Sequence, residues 1–108
     1  MNTYEKLEKN GLFINPIDIE KLCIKHKIKE LSIFGSAIRD DFDEDSDVDL
    51  LVSFINNMEI GLFEVFDVEE ELSELLKRKI DIIPKEGLTL PVRKERILST
   101  REIIYVAQ

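Results

Sequence analysis

The sequence predicts a small α/β domain, a mixed sheet flanked by helices, and three observations carry that prediction. Short apolar runs at residues 31–34, 50–54 and 79–83 read as strands. Stretches with apolar residues at helical spacing lie before, between and after them. The length of 108 residues is near the modal size of one domain and is expected to bury roughly two-thirds of the unfolded surface, so residues 1–108 are read as a single domain around one core.

Taken in order, the polar stretch through Asn10-Gly11 is an arm or a short helix ended by Gly11. Asn15 then serves as N-cap, with Pro16 at the first helical position and Asp18 in the first turn. Ile19, Leu22 and Cys23 form the buried side of that helix, which runs toward Lys27, and His26 falls among lysines on its wet side. Residues 31–34 make a buried strand that meets Gly35, where the missing Cβ allows positive φ or close approach of a ligand. Ser36 is placed to cap a helix starting behind it. Leu50, Val52 and Phe54 alternate with Asp49, Leu51 and Ser53, which suits a strand with two unlike faces. After the polar break at Asn56-Asn57, Ile60, Phe63 and Phe66 mark a short helical face, and Asp67 with Glu70 caps a second segment. Val68, Leu72, Leu75 and Leu76 carry the stripe toward Lys77-Arg78-Lys79, whose charges suit a helix carboxyl end, while Glu69, Glu70 and Glu71 make a solvent face. This segment reads as a crossover between neighbouring strands. Pro84 ends the strand that holds Asp81, and Gly87 and Pro91 bracket a loop before a last helix with apolar positions Val92, Ile97, Leu98 and later Ile104. The order of the strands does not follow from these patterns.

The chemistry concentrates between residues 34 and 54. Period two puts Asp47 and Asp49 on one face, and two carboxylates that close repel unless a hard divalent cation such as Mg²⁺ neutralises them. Asp81 is the candidate third acid, because a carboxylate inside an apolar run is costly unless paired or bound to metal. Beside the first acidic strand it would converge on Asp47 and Asp49, an adjacency that sequence does not prove. A phosphate set against the N–H groups after Gly35 and Ser36 would meet unpaired donors and a helix dipole. Arg39, one turn beyond Ser36, is either a phosphate partner or a surface arginine. Asp40, Asp41, Asp43, Glu44 and Asp45 read as a solvated loop. An EF-hand is excluded because no register supplies its sixth-position Gly and twelfth-position Glu, and a P-loop because the further glycines and the Lys-Ser/Thr pair are missing.

Composition removes several classes. The formal net charge of -8, with no evident basic patch, argues against stable nucleic-acid binding and favours a basic protein partner. The single cysteine, Cys23, excludes an intrachain disulfide and a multi-cysteine zinc cluster, which fits a reducing, cytoplasmic location; as core filler it is no nucleophile. One histidine, His26, makes neither a histidine metal cluster nor a catalytic triad of any weight. No long apolar segment or signal-like start occurs, so no membrane association is expected.

Gly35-Ser36, ten residues, then Asp47-Val48-Asp49 resembles the signature of the nucleotidyltransferase superfamily related to DNA polymerase β. The forms Phe-Gly-Ser-Ala-Ile-Arg and Ser-Asp-Val-Asp-Leu-Leu-Val are similar to the minimal nucleotidyltransferases, which include MntA-like antitoxins paired with HEPN-domain ribonuclease toxins. The resemblance covers nearly the whole chain and implies a polymerase β palm-like fold. It implies that Gly35 and Ser36, with Arg39 as a further candidate, bind the triphosphate. Asp47, Asp49 and Asp81 would be the catalytic acids and the ligands of Mg²⁺, with two ions expected. It further implies ATP as substrate and transfer of AMP to a hydroxyl, a tyrosine of a HEPN toxin, so that the chain acts as an antitoxin. Two other readings stand beside this one: a non-catalytic antitoxin that acts by binding alone, and a small-molecule nucleotidyltransferase. Retention of all three acids weighs against the first, and the lack of an acceptor-binding domain in this short chain against the second.

Overall fold

Asn2 accepts the Glu5 backbone N–H at 2.9 Å and opens helix α1 (Thr3–Lys9) in the computed structural model, which describes residues 2–55 and 62–108. Gly11 follows at φ +86°, which only a residue without Cβ adopts freely. Helix α2 (Pro16–Lys25) starts as its sequence predicts, with Asn15 accepting the Ile17 N–H at 2.9 Å, Pro16 in the first turn and Ile19, Leu22 and Cys23 buried.

Four strands form one mixed sheet: β1 (Ile28–Phe34), β2 (Val48–Phe54), β3 (Ile80–Pro84) and β4 (Glu102–Val106). Their order is β3-β2-β1-β4, with β1 antiparallel to both β2 and β4 and β2 parallel to β3. Parallel neighbours need a crossover, and helix α3 (Leu62–Leu76) supplies it. Helix α4 (Pro91–Thr100) joins the β3 edge to β4.

Each sheet face has its own core. Val48, Leu50, Val52 and Phe54 of β2 and Ile80 and Ile82 of β3 join Leu7, Ile19, Leu22, Val68 and Leu72, so α1, α2 and α3 cover one face. Phe34, Leu51, Leu88 and Ile97, with Ile83 and Leu98 against them, form a smaller cluster on the other, beneath α4. Strand period two therefore decides which layer each residue of β2 and β3 meets.

Several expectations change. The helix expected after Gly35 is a four-residue 3-10 turn, Gly35–Ile38, without a side-chain cap; Ser36 lies inside it, because the chain turns extended at Arg39 to enter the acidic loop. The helical face assigned to Phe63 and Phe66 is not buried, the two being 85% and 60% exposed. The continuous helix α3 instead buries Val65, Val68, Leu72 and Leu76 at positions i, i+3, i+7 and i+11, and this stripe runs past Asp67, so no cap forms there. Asn56, Asn57 and Ile60 lie outside the described residues. Ile104 belongs to β4 rather than to the last helix, and Val92 is exposed; the β-branched and aromatic run 103–106 pairs with β1.

His26 is also inside rather than on the wet side. It is the C-cap of α2, and Lys27 behind it takes φ +55°, which turns the ring toward α3. There Nδ1 lies 2.9 Å from Glu64 Oε1, and Nε2 lies 3.2 Å from Glu71 Oε2 without completing a hydrogen bond. Glu71 also accepts from Lys25 Nζ at 2.5 Å, so it leaves the expected solvent face to tie α2 to the crossover. That Lys25 bond, and then His26, hold the Glu71 carboxyl below its ordinary value of 4.5. A depressed carboxyl stabilises the fold above its unfolded pKa, and this contribution is lost as pH falls through the folded one. Glu71→Gln should lower stability at pH 7 by under about 1 kcal/mol, as for an exposed pair. Thermal melts of both proteins should converge as pH is taken below the ordinary glutamate range.

Candidate active site

The acids gather where β1 ends and β2 and β3 begin. Strand β2 opens at Val48, so Asp47 is the last loop residue and Asp49 the second strand residue, on the face opposite Val48 and Leu50. The parallel register sets Asp49 directly beside Asp81, while the antiparallel register sets Phe34 on its other side. Asp49 is half-buried, and Asp81 is exposed on the sheet edge.

Gly35 follows Phe34 at φ +75°, and a Cβ built on it would lie 2.5 Å from Asp49 Oδ2. Both the backbone conformation and the closeness of the carboxylate therefore require glycine here. The turn that contains Ser36 is anchored by buried Ala37 and by Asn10, whose Nδ2 donates to the carbonyls of Ala37 at 2.8 Å and Arg39 at 3.0 Å. Arg39 itself is exposed and donates from Nε to Asp41 Oδ1 at 3.0 Å. The structure thus brings Gly35 to Asp49, with Ser36 next in the same turn, and joins Asp49 to Asp81.

The acidic loop is built rather than loose. Asp43 Oδ1 accepts from the Asp45 N–H at 2.9 Å and from Ser46 Oγ at 3.1 Å. Arg78, just past α3, donates to the carbonyls of Asp43 at 2.7 Å and Ser46 at 2.5 Å and lies 4.4 Å over the Phe42 ring. It thereby ties the residue preceding Asp47 to the chain entering β3. Sequence reasoning treated Arg78 only as a complement to a helix dipole and passed over Asn10, because neither contact has a local signature.

Burial first, then the charges of Asp81 and Asp47, push the Asp49 carboxyl above its ordinary value; Arg39 and Arg93 pull the other way. Arg93, on α4, is a further residue that sequence reasoning missed. Unrelieved repulsion on oxygen donors fits a hard divalent cation such as Mg²⁺. Among the described residues no three acidic, histidine or cysteine side chains come together closely enough to hold a metal ion, so Asp47, Asp49 and Asp81, expected to share one, are not gathered into a single ligand set; the register pairs Asp49 with Asp81. Cys23 offers no alternative nucleophile, since it is buried in the core and burial pushes its thiol up to about 12. A cavity of 690 Å³ between α2 and β4 reaches Ile28 and Ile55, at the other end of β1 and β2 from Asp49.

Two outcomes check this geometry. Gly35→Ala should destabilise the chain by more than the roughly 1 kcal/mol cost of φ alone, because Asp49 must also move; chemical denaturation reads it. Since a raised carboxyl weakens the fold as pH rises through the window between its unfolded and folded values, Asp49→Asn should raise the melting temperature of the metal-free protein at pH 7. The gain should vanish below the ordinary aspartate value of 3.8.

Comparison with known proteins places the chain in a family. The profile described as a nucleotidyltransferase domain matches residues 19–104. The protein adenylyltransferase MntA of Thermococcus cleftensis is 35% identical over 98 residues, which cover 82% of this chain and 93% of that protein. Among solved structures, a chain of a toxin-antitoxin crystal structure with AMP-PNP superposes with a TM-score of 0.69 at 18% identity, covering 88% of this chain and 76% of its own. A chain of the complex of a tri-AMPylated Shewanella oneidensis HEPN toxin with an MNT antitoxin gives 0.62 at 16% identity, with coverages of 94% and 74%. At these identities the two structures speak to the fold alone, whereas the matched profile and the 35% identical relative speak to the lineage. On both grounds the chain belongs to the nucleotidyltransferase domain family.

Proposed function

We propose that this chain transfers AMP from ATP to a tyrosine hydroxyl of a HEPN-domain ribonuclease toxin, and so acts as its antitoxin. The observation that carries the reading is the register pairing of Asp49 with Asp81 beside the Gly35 turn. Support for the acceptor comes from the similarity to the T. cleftensis protein adenylyltransferase and from the fold shared with the HEPN complex. ATP as donor draws on the fold shared with the AMP-PNP structure.

In this reading Asp47, Asp49 and Asp81 would hold Mg²⁺, and Gly35 and Ser36 would receive the triphosphate at the turn that Asn10 fixes. Bound Mg²⁺ would supply Lewis-acid neutralisation of attacking and leaving oxygens. The acceptor oxygen attacks the α-phosphorus, a new P–O bond forms, the bond to the β-phosphate oxygen breaks and pyrophosphate leaves. The acceptor proton departs on the Asp81 side, where the carboxylate is open to water. Arg78 keeps Asp47 in place by clamping the loop before it. Because Asp81 stands on an exposed sheet edge, an acceptor presented by a folded protein can reach it, and a net charge of -8 favours a basic partner surface.

Incubation with ATP, Mg²⁺ and the HEPN protein of the same genome should add about 329 Da per event to that protein and lower its ribonuclease activity. Intact-mass spectrometry reads the adduct. Asp49→Asn and Asp81→Asn should each reduce the rate by at least about a hundredfold, as expected on removal of a charged group from a preorganised site. Inhibition without any adduct, retained in both variants, would reject the enzyme in favour of an antitoxin that acts by binding.

A further inference from the structure

Two arginines bear on Asp49, and the structure treats them differently. Arg39 follows the Gly35 turn but is engaged by Asp41 through Nε at 3.0 Å and a second nitrogen at 3.3 Å. Arg93 stands one helical turn before Ile97 on α4, so both lie on one side of that helix. Ile97 packs with Phe34 and Leu51; Phe34 is the register partner of Asp49, and Leu51 follows Asp49 by one strand period on the same face. The packing of α4 thus directs Arg93 toward the layer that carries Asp49 and Asp81. Its positive charge bears on Asp49 more weakly than that of Arg39. Among the described residues Arg93 enters no ion pair and no side-chain hydrogen bond, and it is exposed.

A guanidinium on the Ile97 side of α4, with no side-chain partner among the described residues, suits an anionic ligand that spans the acidic edge. Its planar fork matches phosphate oxygens two at a time. We propose that Arg93 binds the triphosphate of the nucleotide donor from α4, as a substrate-positioning residue that the Gly-Ser and Asp-x-Asp motifs do not include. The inference deepens the nucleotidyl-transfer reading and rests on it for the identity of the ligand.

Calorimetric titration with Mg²⁺ and a non-hydrolysable ATP analogue tests it on the purified chain, with AMP as a ligand that lacks the β- and γ-phosphates. Arg93→Gln should weaken binding of the ATP analogue by about tenfold or more, the size of a charged hydrogen bond to phosphate, and leave AMP binding unchanged. Arg93→Lys should recover part of the loss, and Arg96→Gln, on the same exposed helix, should lose little. In transfer assays the KM for ATP should rise while that for the acceptor protein holds. Unchanged affinity for the ATP analogue in Arg93→Gln, an equal loss in Arg96→Gln, or a change confined to the acceptor KM would overturn the assignment. A wild-type chain that binds no ATP would overturn both readings. Binding that depends on Arg93 without AMP transfer would support the assignment and reject only the transferase.

Discussion

The local structure depends on one constraint: two carboxylates side by side on neighbouring parallel strands, with a backbone turn pressed against one of them. Asp49 and Asp81 are register partners, and Gly35 leaves so little room beside Asp49 that a Cβ would approach its Oδ2 to 2.5 Å. Burial first, and then the charges of Asp81 and Asp47, raise the Asp49 carboxyl in this arrangement. A fold optimised for stability alone would separate these groups. Here the rest of the molecule holds them together, which is the relation expected where ligand binding relieves a strain built into the resting state.

Each layer contributes to that holding. The parallel pairing that sets Asp81 beside Asp49 exists only because α3 carries the chain back across the sheet, and α3 is seated by Val68 and Leu72 and tied to α2 through the buried His26 between Glu64 and Glu71. On the other face, the small cluster of Phe34, Leu51, Leu88 and Ile97 seats α4, the helix that carries Arg93. Arg78 and Asn10 work through backbone carbonyls: one secures the loop before Asp47, the other the turn after Gly35. Substitution of these two would disturb the site without removing any group that touches a substrate.

The residues whose roles were legible in the sequence share a property: the chemistry constrains them locally. A glycine at a turn, two acids at strand spacing, and Asn15-Pro16-Asp18 at a helix start are each readable from a few neighbours. His26 and Phe63 were misread for the complementary reason. Whether a side chain is inside depends on what lies across from it, and for His26 the answer came from α3, 38 and 45 residues further on by sequence numbering of Glu64 and Glu71. The break expected at Asp67 failed because a continuous apolar stripe outweighs a local capping signal.

The sequence by itself determined the strand-turn-strand layout, the spacing of Gly35-Ser36 to Asp47 and Asp49, and the α/β class, because strand period and glycine conformation act over a few bonds. Only the tertiary structure decided the strand order β3-β2-β1-β4, the meeting of Asp81 with Asp49 and the fourth strand at residues 102–106. These are non-local pairings. They are selected by how well whole faces bury against one another, a property of the assembled layers that no short window of the chain contains.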